Sequence, residues 1–203
     1  MAPRLTRSWF ERPAPEVAPA LIGCVLVRTL PTGERRRVRI VETEAYEADD
    51  PASHSFRGLS TRSATMFGRA GHLYVYLIYG LHHCLNVVTG PPGHGAAVLL
   101  RAGEPVEGGA GMARARGTPD PRAWCSGPAK LAEALELDRS FDGADLLGRG
   151  PVRLVAGAPA AAIDRGPRVG ISTGRDAPWR FAERGSPWVS RPRLSPSTSA
   201  SRP

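Results

Sequence analysis

Lysine is nearly missing from this chain: Lys130 is the only one among 27 basic residues. Cysteine is scarce too. Cys24, Cys84 and Cys125 are far apart, odd in number and form no C-x-x-C pair. That spacing argues against a zinc ribbon and against a disulfide framework, and all three read as small buried hydrophobes. No apolar run approaches the roughly 20 residues of a membrane-spanning helix. Residues 1–7 are basic but lack the apolar stretch of a signal peptide behind them, so a cytoplasmic protein without membrane association is expected. There is no G-x-S-x-G elbow, P-loop or dinucleotide-binding glycine motif, which disfavours nucleophilic hydrolases, nucleotide-phosphate enzymes and dehydrogenases. Glu42, Glu44, Asp49, Asp50 and His54 lie close in sequence, but their spacing matches neither H-E-x-x-H nor a calcium loop. No metal is expected, and no internal repeat is found.

Charge is what the chain does have. The formal net charge is +8, carried almost wholly by arginine. Arginine stays ionised and grips phosphate with two parallel donors, which suits a polyanionic partner. The codon bias of a GC-rich genome would give the same excess, so composition leaves both origins open. The length of 203 residues fits one domain with its own core.

Elements can be placed along the chain. A short helix or turn from residue 14 leads into a strand over 24–28, followed by a turn at Pro31-Thr32-Gly33-Glu34. Residues 35–46, RRRVRIVETEAY, are rich in β-branched side chains and form the best strand of the first quarter. A long polar loop is expected over 47–71. Residues 73–79 and 81–88 form two β-rich runs broken by Gly80, as in a hairpin or a bulged strand. A strand over 95–102 follows, then a short helix over 106–114. The best helix opens with Ser126 as N-cap and Pro128 in its first turn, and runs to Leu137. Short strands are expected over 152–156 and 168–171. The order of elements indicates an α+β domain over 1–190, built on a mainly antiparallel sheet, with a disordered Ser/Pro/Arg tail over 191–203.

Alternation on the 35–46 strand points Glu42, Glu44 and Tyr46 to one face, with Ile40 behind them. A carboxylate at the edge of an apolar face loses solvation and becomes a candidate base. The competing reading is a salt bridge to Arg35, Arg36, Arg37 or Arg39. Tyr74 and Tyr76 share one strand face, and Tyr79 sits beside the Gly80 bend. An exposed aromatic at a hairpin tip on a basic protein can wedge into a base stack, whereas tyrosines on strands otherwise simply pack. From the residues alone, the reading stops at a basic α+β domain with a candidate carboxylate base and a candidate nucleic-acid surface.

Longer motifs carry a resemblance. VETEAY, ASHSFRG, TRSATMF, GHLYVYLIYGLHHCLNVV, AVLLRAGEPVEG, SGPAKLAEAL, PRVGIS and WRF…GSPWVS occur in order over roughly residues 18–190. Together they closely resemble the alkyladenine (3-methyladenine) DNA glycosylase family. The resemblance implies a single α+β domain with a protruding β-hairpin that enters DNA. It implies a monomer that flips damaged purines out of duplex DNA and excises them with water, acting at the nucleoid and needing no cofactor. Glu44, rather than Glu42, matches the general base; Arg101 and the backbone carbonyl of Val169 match the groups that hold the water. Tyr79 resembles the intercalating wedge. Tyr46, His54 and Tyr76 resemble the base pocket, and Asn86 the residue that crowds out the 2-amino group of guanine. Met66, Ser126 and Lys130 are expected near the DNA backbone. No lysine falls among the matched pocket residues, which implies a monofunctional hydrolase rather than a Schiff-base lyase. Ser63 and Ala129 depart from the residues common in the family, and 109–122 are poorly matched. A damaged-DNA-binding protein without catalysis is the alternative; the presence of both Glu44 and Arg101 argues against it.

Overall fold

A computed structural model describes residues 5–194. Its centre is strand β2 (Arg35–Tyr46), whose Val38, Ile40, Val41 and Thr43 are buried in a strand-favouring run. From Arg37 to Tyr46, β2 pairs antiparallel with β5 (Ala96–Glu107). Its other edge is shared: β1 (Val25–Thr29) takes the first part, and β8 (Arg180–Glu183) pairs with Glu42, Thr43 and Glu44. Those three residues therefore have strands on both sides, which is why both carboxylates are fully buried. The sheet continues through β4 (His82–Thr89) to β3 (Leu73–Ile78) at one edge, and through β1 to β6 (Val152–Val155) at the other. Strand β7 (Ile163–Gly166) joins through β8. Every strand pair is antiparallel, as expected for the α+β class.

Helices cover one face. α1 (Arg7–Phe10), α2 (Ala14–Ala20), α3 (Gly109–Arg116) and α4 (Pro128–Ala134) are short and draw their stability from packing rather than from length. Phe10, Val17, Leu21, Met112, Leu131 and Leu135 meet Val38, Ile40, Ala45, Val98 and Leu100 in the main core. The opposite face of β3, β4 and β5 holds the cavity described below.

A paired irregularity in the β2–β5 ladder decides where the chemistry points. Ile40 opposes Gly103, Glu42 opposes Ala102 and Thr43 opposes Leu100, so Val41 and Arg101 are each left without a direct partner. The extra residue inverts the alternation. Ile40 thus joins the helix-side core, with Thr43 and Ala45, while Glu44 and Tyr46 face the cavity. The expectation that Ile40 backs the carboxylates on the same face is corrected on that ground.

Other boundaries also differ. Residues 168–171 are a loop, and β7 and β8, which flank it, take the strand roles. The helix expected over 106–114 begins at Gly109, because β5 runs on to Glu107. Gly127 rather than Ser126 occupies the N-cap of α4; the Ser126 hydroxyl accepts a bond from Lys130 Nζ instead, at 3.4 Å. At the start of the expected tail, the Pro192 carbonyl accepts from Arg180 at 2.7 Å and Leu194 packs beside Val41 and Val189. The rest of that tail, 195–203, lies outside the described residues. Among the described residues no helix is long and apolar enough to cross a membrane.

Candidate active site

The chain has only four tyrosines, and all four line one cavity of about 200 Å³. Glu44, His54, Asn86, Arg101 and the 169–171 loop complete much of its wall. Strand pairing explains the convergence. Glu44 opposes Leu99, Asn86 opposes Leu99, and Tyr74 opposes Asn86, so one sheet face carries these side chains across three neighbouring strand pairs.

Glu44 is wholly buried yet hydrogen-bonded at both oxygens. Its Oε1 accepts from the Val169 amide at 2.8 Å and lies 3.3 Å from Arg101 Nη1; its Oε2 accepts from the Tyr46 hydroxyl at 2.9 Å. Burial pushes the Glu44 carboxyl above the usual carboxylate range, opposed by Arg101 and by these two donors. The result is a fixed carboxylate with strengthened proton affinity, the property a general base needs.

Glu42 has a different situation. Its Oε1 accepts from Arg180 Nε at 2.6 Å and the Ser190 hydroxyl at 3.0 Å, and lies 3.2 Å from Arg101 Nε; its Oε2 accepts from the Ser190 amide at 2.7 Å. This carboxylate is saturated and does not line the cavity. It braces Arg101, which it shares with Glu44. Neither carboxylate pairs with the arginines nearest in sequence: Arg35 and Arg37 go to Glu107, Arg36 to Glu34 and Glu136, and Arg39 to Glu104 and Glu183.

The aromatic wall is preorganised. His54 Nδ1 bonds the Tyr74 hydroxyl at 2.9 Å, and its ring meets Tyr76 edge-on with centroids 4.5 Å apart. Burial, aided by the nearby Arg62 cation, holds the His54 pKa down at about 4. The imidazole is therefore neutral at physiological pH. We expect its carbon-bound proton resonances to stay unshifted between about pH 5 and pH 8 in an NMR titration; a midpoint near 6.5 would contradict this environment. Arg168 sits over the Tyr46 ring at 4.7 Å and is itself held by Asp50. Asn86 donates to the carbonyls of Tyr74 at 3.1 Å and Cys84 at 3.4 Å, which locks it in the wall.

The β3–β4 hairpin turns through Tyr79 and Gly80, both with positive φ, at 53° and 69°. Two such residues in succession are what a tight hairpin turn demands, and the first carries an aromatic side chain in a region that non-glycine residues adopt at a cost. Tyr79 is 83% exposed and Leu81 is 77% exposed, a projecting apolar tip beside the cavity.

Of the residues expected near DNA, Met66 is buried against Tyr74, Val88 and Ala97 and forms part of the cavity wall. Ser126 and Lys130 sit at the start of α4, next to the cavity-lining Pro128. Ser63 is buried and staples its own loop through Ser60 and the Gly58 carbonyl, and Ala129 is the second residue of α4. Sequence reasoning misses Arg62, at 5.4 Å over the Tyr76 ring, and the Glu42–Arg180–Ser190 brace, although WRF and GSPWVS contain two of the brace residues. Among the described residues no group of three His, Cys, Asp or Glu side chains is arranged to hold a metal ion.

Comparison with known proteins places this architecture. A family model described as methylpurine-DNA glycosylase matches residues 8–187. A protein of Streptomyces avermitilis is 47% identical over 92% of this chain and 90% of its own length. Relatives from Nitrosospira multiformis, at 45%, and Methanocella arvoryzae, at 46%, cover 92% and 93% of this chain and 94% and 96% of their own lengths. All three carry the provisional name 3-methyladenine DNA glycosylase.

Proposed function

The chain belongs to the methylpurine-DNA glycosylase family, and from that premise we propose that it hydrolyses the N-glycosidic bond of alkylated or deaminated purines in duplex DNA, working as a monomer on an extruded nucleotide. The observation that carries this reading is Glu44: a buried, triply held carboxylate in the wall of a cavity lined by every tyrosine in the chain.

The chemistry follows from the geometry. The damaged base occupies the cavity between Tyr46 and Tyr76, with the His54 side beside it and Asn86 as a rigid wall against an exocyclic 2-amino group. A water at Glu44 is deprotonated by the carboxylate as its oxygen bonds to C1′ of the sugar. The C1′–N bond breaks and the base departs with the electron pair. Positive charge develops on the sugar in that step, and the Glu44 carboxylate stabilises it while Arg101 helps hold the water. The Val169 amide keeps Glu44 in place, and its carbonyl is assigned to the water by family resemblance. A methylated purine is already cationic, so it needs no acid to leave and is favoured by aromatic faces through cation–π attraction. Lysine does not occur among the cavity-lining residues, which supports attack by water over a Schiff-base intermediate.

The test is direct. Purified protein incubated with methylated duplex DNA should liberate free 3-methyladenine or 7-methylguanine, detected by chromatography, and leave abasic sites. Binding to the same DNA without any free base would sink the proposal.

A further inference from the structure

The 169–171 loop has a second side. A cleft there is lined by Arg165, Arg175 and Arg193, all exposed, and by Arg168 and Arg180, both buried. Val169, Gly170 and Ile171 line both this cleft and the base cavity, so one loop separates the two. The buried pair has counter-charges, Asp50 for Arg168 and Glu42 for Arg180. The exposed three have no ion-pair partner among the described residues. Arg175 Nε donates to the Ile171 carbonyl at 3.1 Å, Arg193 Nη2 to the Pro187 carbonyl at 3.4 Å, and Arg165 stacks over Phe181 at 5.2 Å.

Three guanidiniums from three separate chain segments thus rim one cleft without an ion-pair partner among the described residues. They repel one another, a cost that an incoming polyanion removes. Their planar donors suit phosphate oxygens in particular. Position argues for the partner. A nucleotide whose base fills the cavity keeps its sugar at the cavity mouth, and its neighbouring phosphates must run on across the surface close by. We propose that this cleft seats phosphodiesters of the DNA strand next to the extruded nucleotide. The inference rests on the glycosylase reading above.

A second arginine group provides the control. Arg149 and Arg153 line a different cleft with Arg28, at the β1–β6 edge of the sheet and away from the cavity. Removing two charges there changes net charge without touching the proposed seat.

The experiment compares wild type, Arg165→Gln/Arg175→Gln/Arg193→Gln and Arg149→Gln/Arg153→Gln. Binding to a lesion-containing duplex is measured by fluorescence anisotropy across a salt series. For every phosphate no longer neutralised, the slope of log affinity against log salt becomes shallower by about 0.9, so the triple variant should be shallower by between about 1 and 3. Its affinity at about 0.1 M salt should fall on the order of tenfold or more, while single-turnover base release at saturating enzyme stays near the wild-type rate. The control variant should keep the wild-type slope. If the triple variant does not fold, Arg175→Gln/Arg193→Gln carries the test, because those side chains touch only carbonyls. A wild-type slope in the cleft variants, with wild type binding and releasing base, overturns the cleft proposal alone. Equal reductions of slope in cleft and control variants also overturn it, since bulk charge then suffices. Absence of base release by wild type overturns the glycosylase reading instead.

Discussion

Glu44→Gln is expected to lose base release by on the order of a thousandfold, within the range of general acid–base catalysis, while keeping its affinity for damaged duplex. Glutamine preserves size and can still accept from the Val169 amide, but it cannot take a proton from water. The substitution should also stabilise the fold wherever Glu44 would be ionised. The Glu44 proton affinity is higher in the folded state than in the free chain, because burial penalises its charge. Its contribution to stability is therefore fully present below the ordinary carboxylate value of 4.5 and is lost as pH rises through the raised folded value. Where the group is ionised it is a net burden that glutamine removes, so the variant should melt higher than wild type above the raised folded value and converge with it in acid. A variant that melts lower at neutral pH and binds DNA poorly would assign Glu44 a structural role.

Tyr79→Ala is expected to cut base release from duplex DNA by roughly 5- to 150-fold, the equivalent of one base–aromatic stack worth about 1–3 kcal/mol. The side chain is the most exposed large hydrophobic group among the described residues, held out at the hairpin tip by a positive φ. Nothing in the protein's own packing explains an aromatic there. A wedge that fills the space left by the extruded base does explain it. Tyr79→Phe should retain most of the activity. Activity on a single-stranded substrate, which has no opposing stack to fill, should fall much less than activity on duplex. Equal losses on both would give Tyr79 a contact with the damaged base in place of the wedge role.

The sheet is legible in the sequence where β-branched runs are flanked by glycine and proline, as in β2, β3, β4 and β5. Short strands without that signature escape it: β7 is only IDRG and β8 only RFAE; β8 exists because β2 offers an edge beyond the end of β1, and β7 pairs in turn with β8. Tertiary pairing, not local propensity, makes them strands. Alternation on β2 reads as unbroken, because nothing within VETEAY marks the irregularity that leaves Val41 on β2 and Arg101 on β5 without direct partners. The candidate site is legible chiefly through the longer family motifs. Periodicity alone does not separate Glu44 from Glu42, since both lie on the same strand and both are buried. Their partners separate them: Arg180 and Ser190, distant in sequence, saturate Glu42, whereas Glu44 faces the cavity. Met66 is expected near the DNA backbone only through the family motif TRSATMF, and nothing local in the sequence indicates that its side chain packs with Tyr74 and Val88.

The most direct test of the central claim is the pH dependence of 7-methylguanine release from duplex DNA under single-turnover conditions, corrected for spontaneous depurination. This leaving group is already cationic, so acid on the low-pH side cannot assist the enzyme by protonating the base. The charged and titratable groups around Glu44 are Glu42 and Tyr46 on its own strand, Arg101 on β5, and Tyr76 and Cys84 on β3 and β4. Burial raises the pKa values of Tyr46, Tyr76 and Cys84, which keeps them neutral across the acid range, and His54 stays neutral down to about 4. One acid limb is expected, with a midpoint above the ordinary 4.5 of a glutamate and a plateau beyond it. A rate that is flat through that region, or a limb that persists unchanged in Glu44→Gln, would contradict Glu44 as the base that activates water.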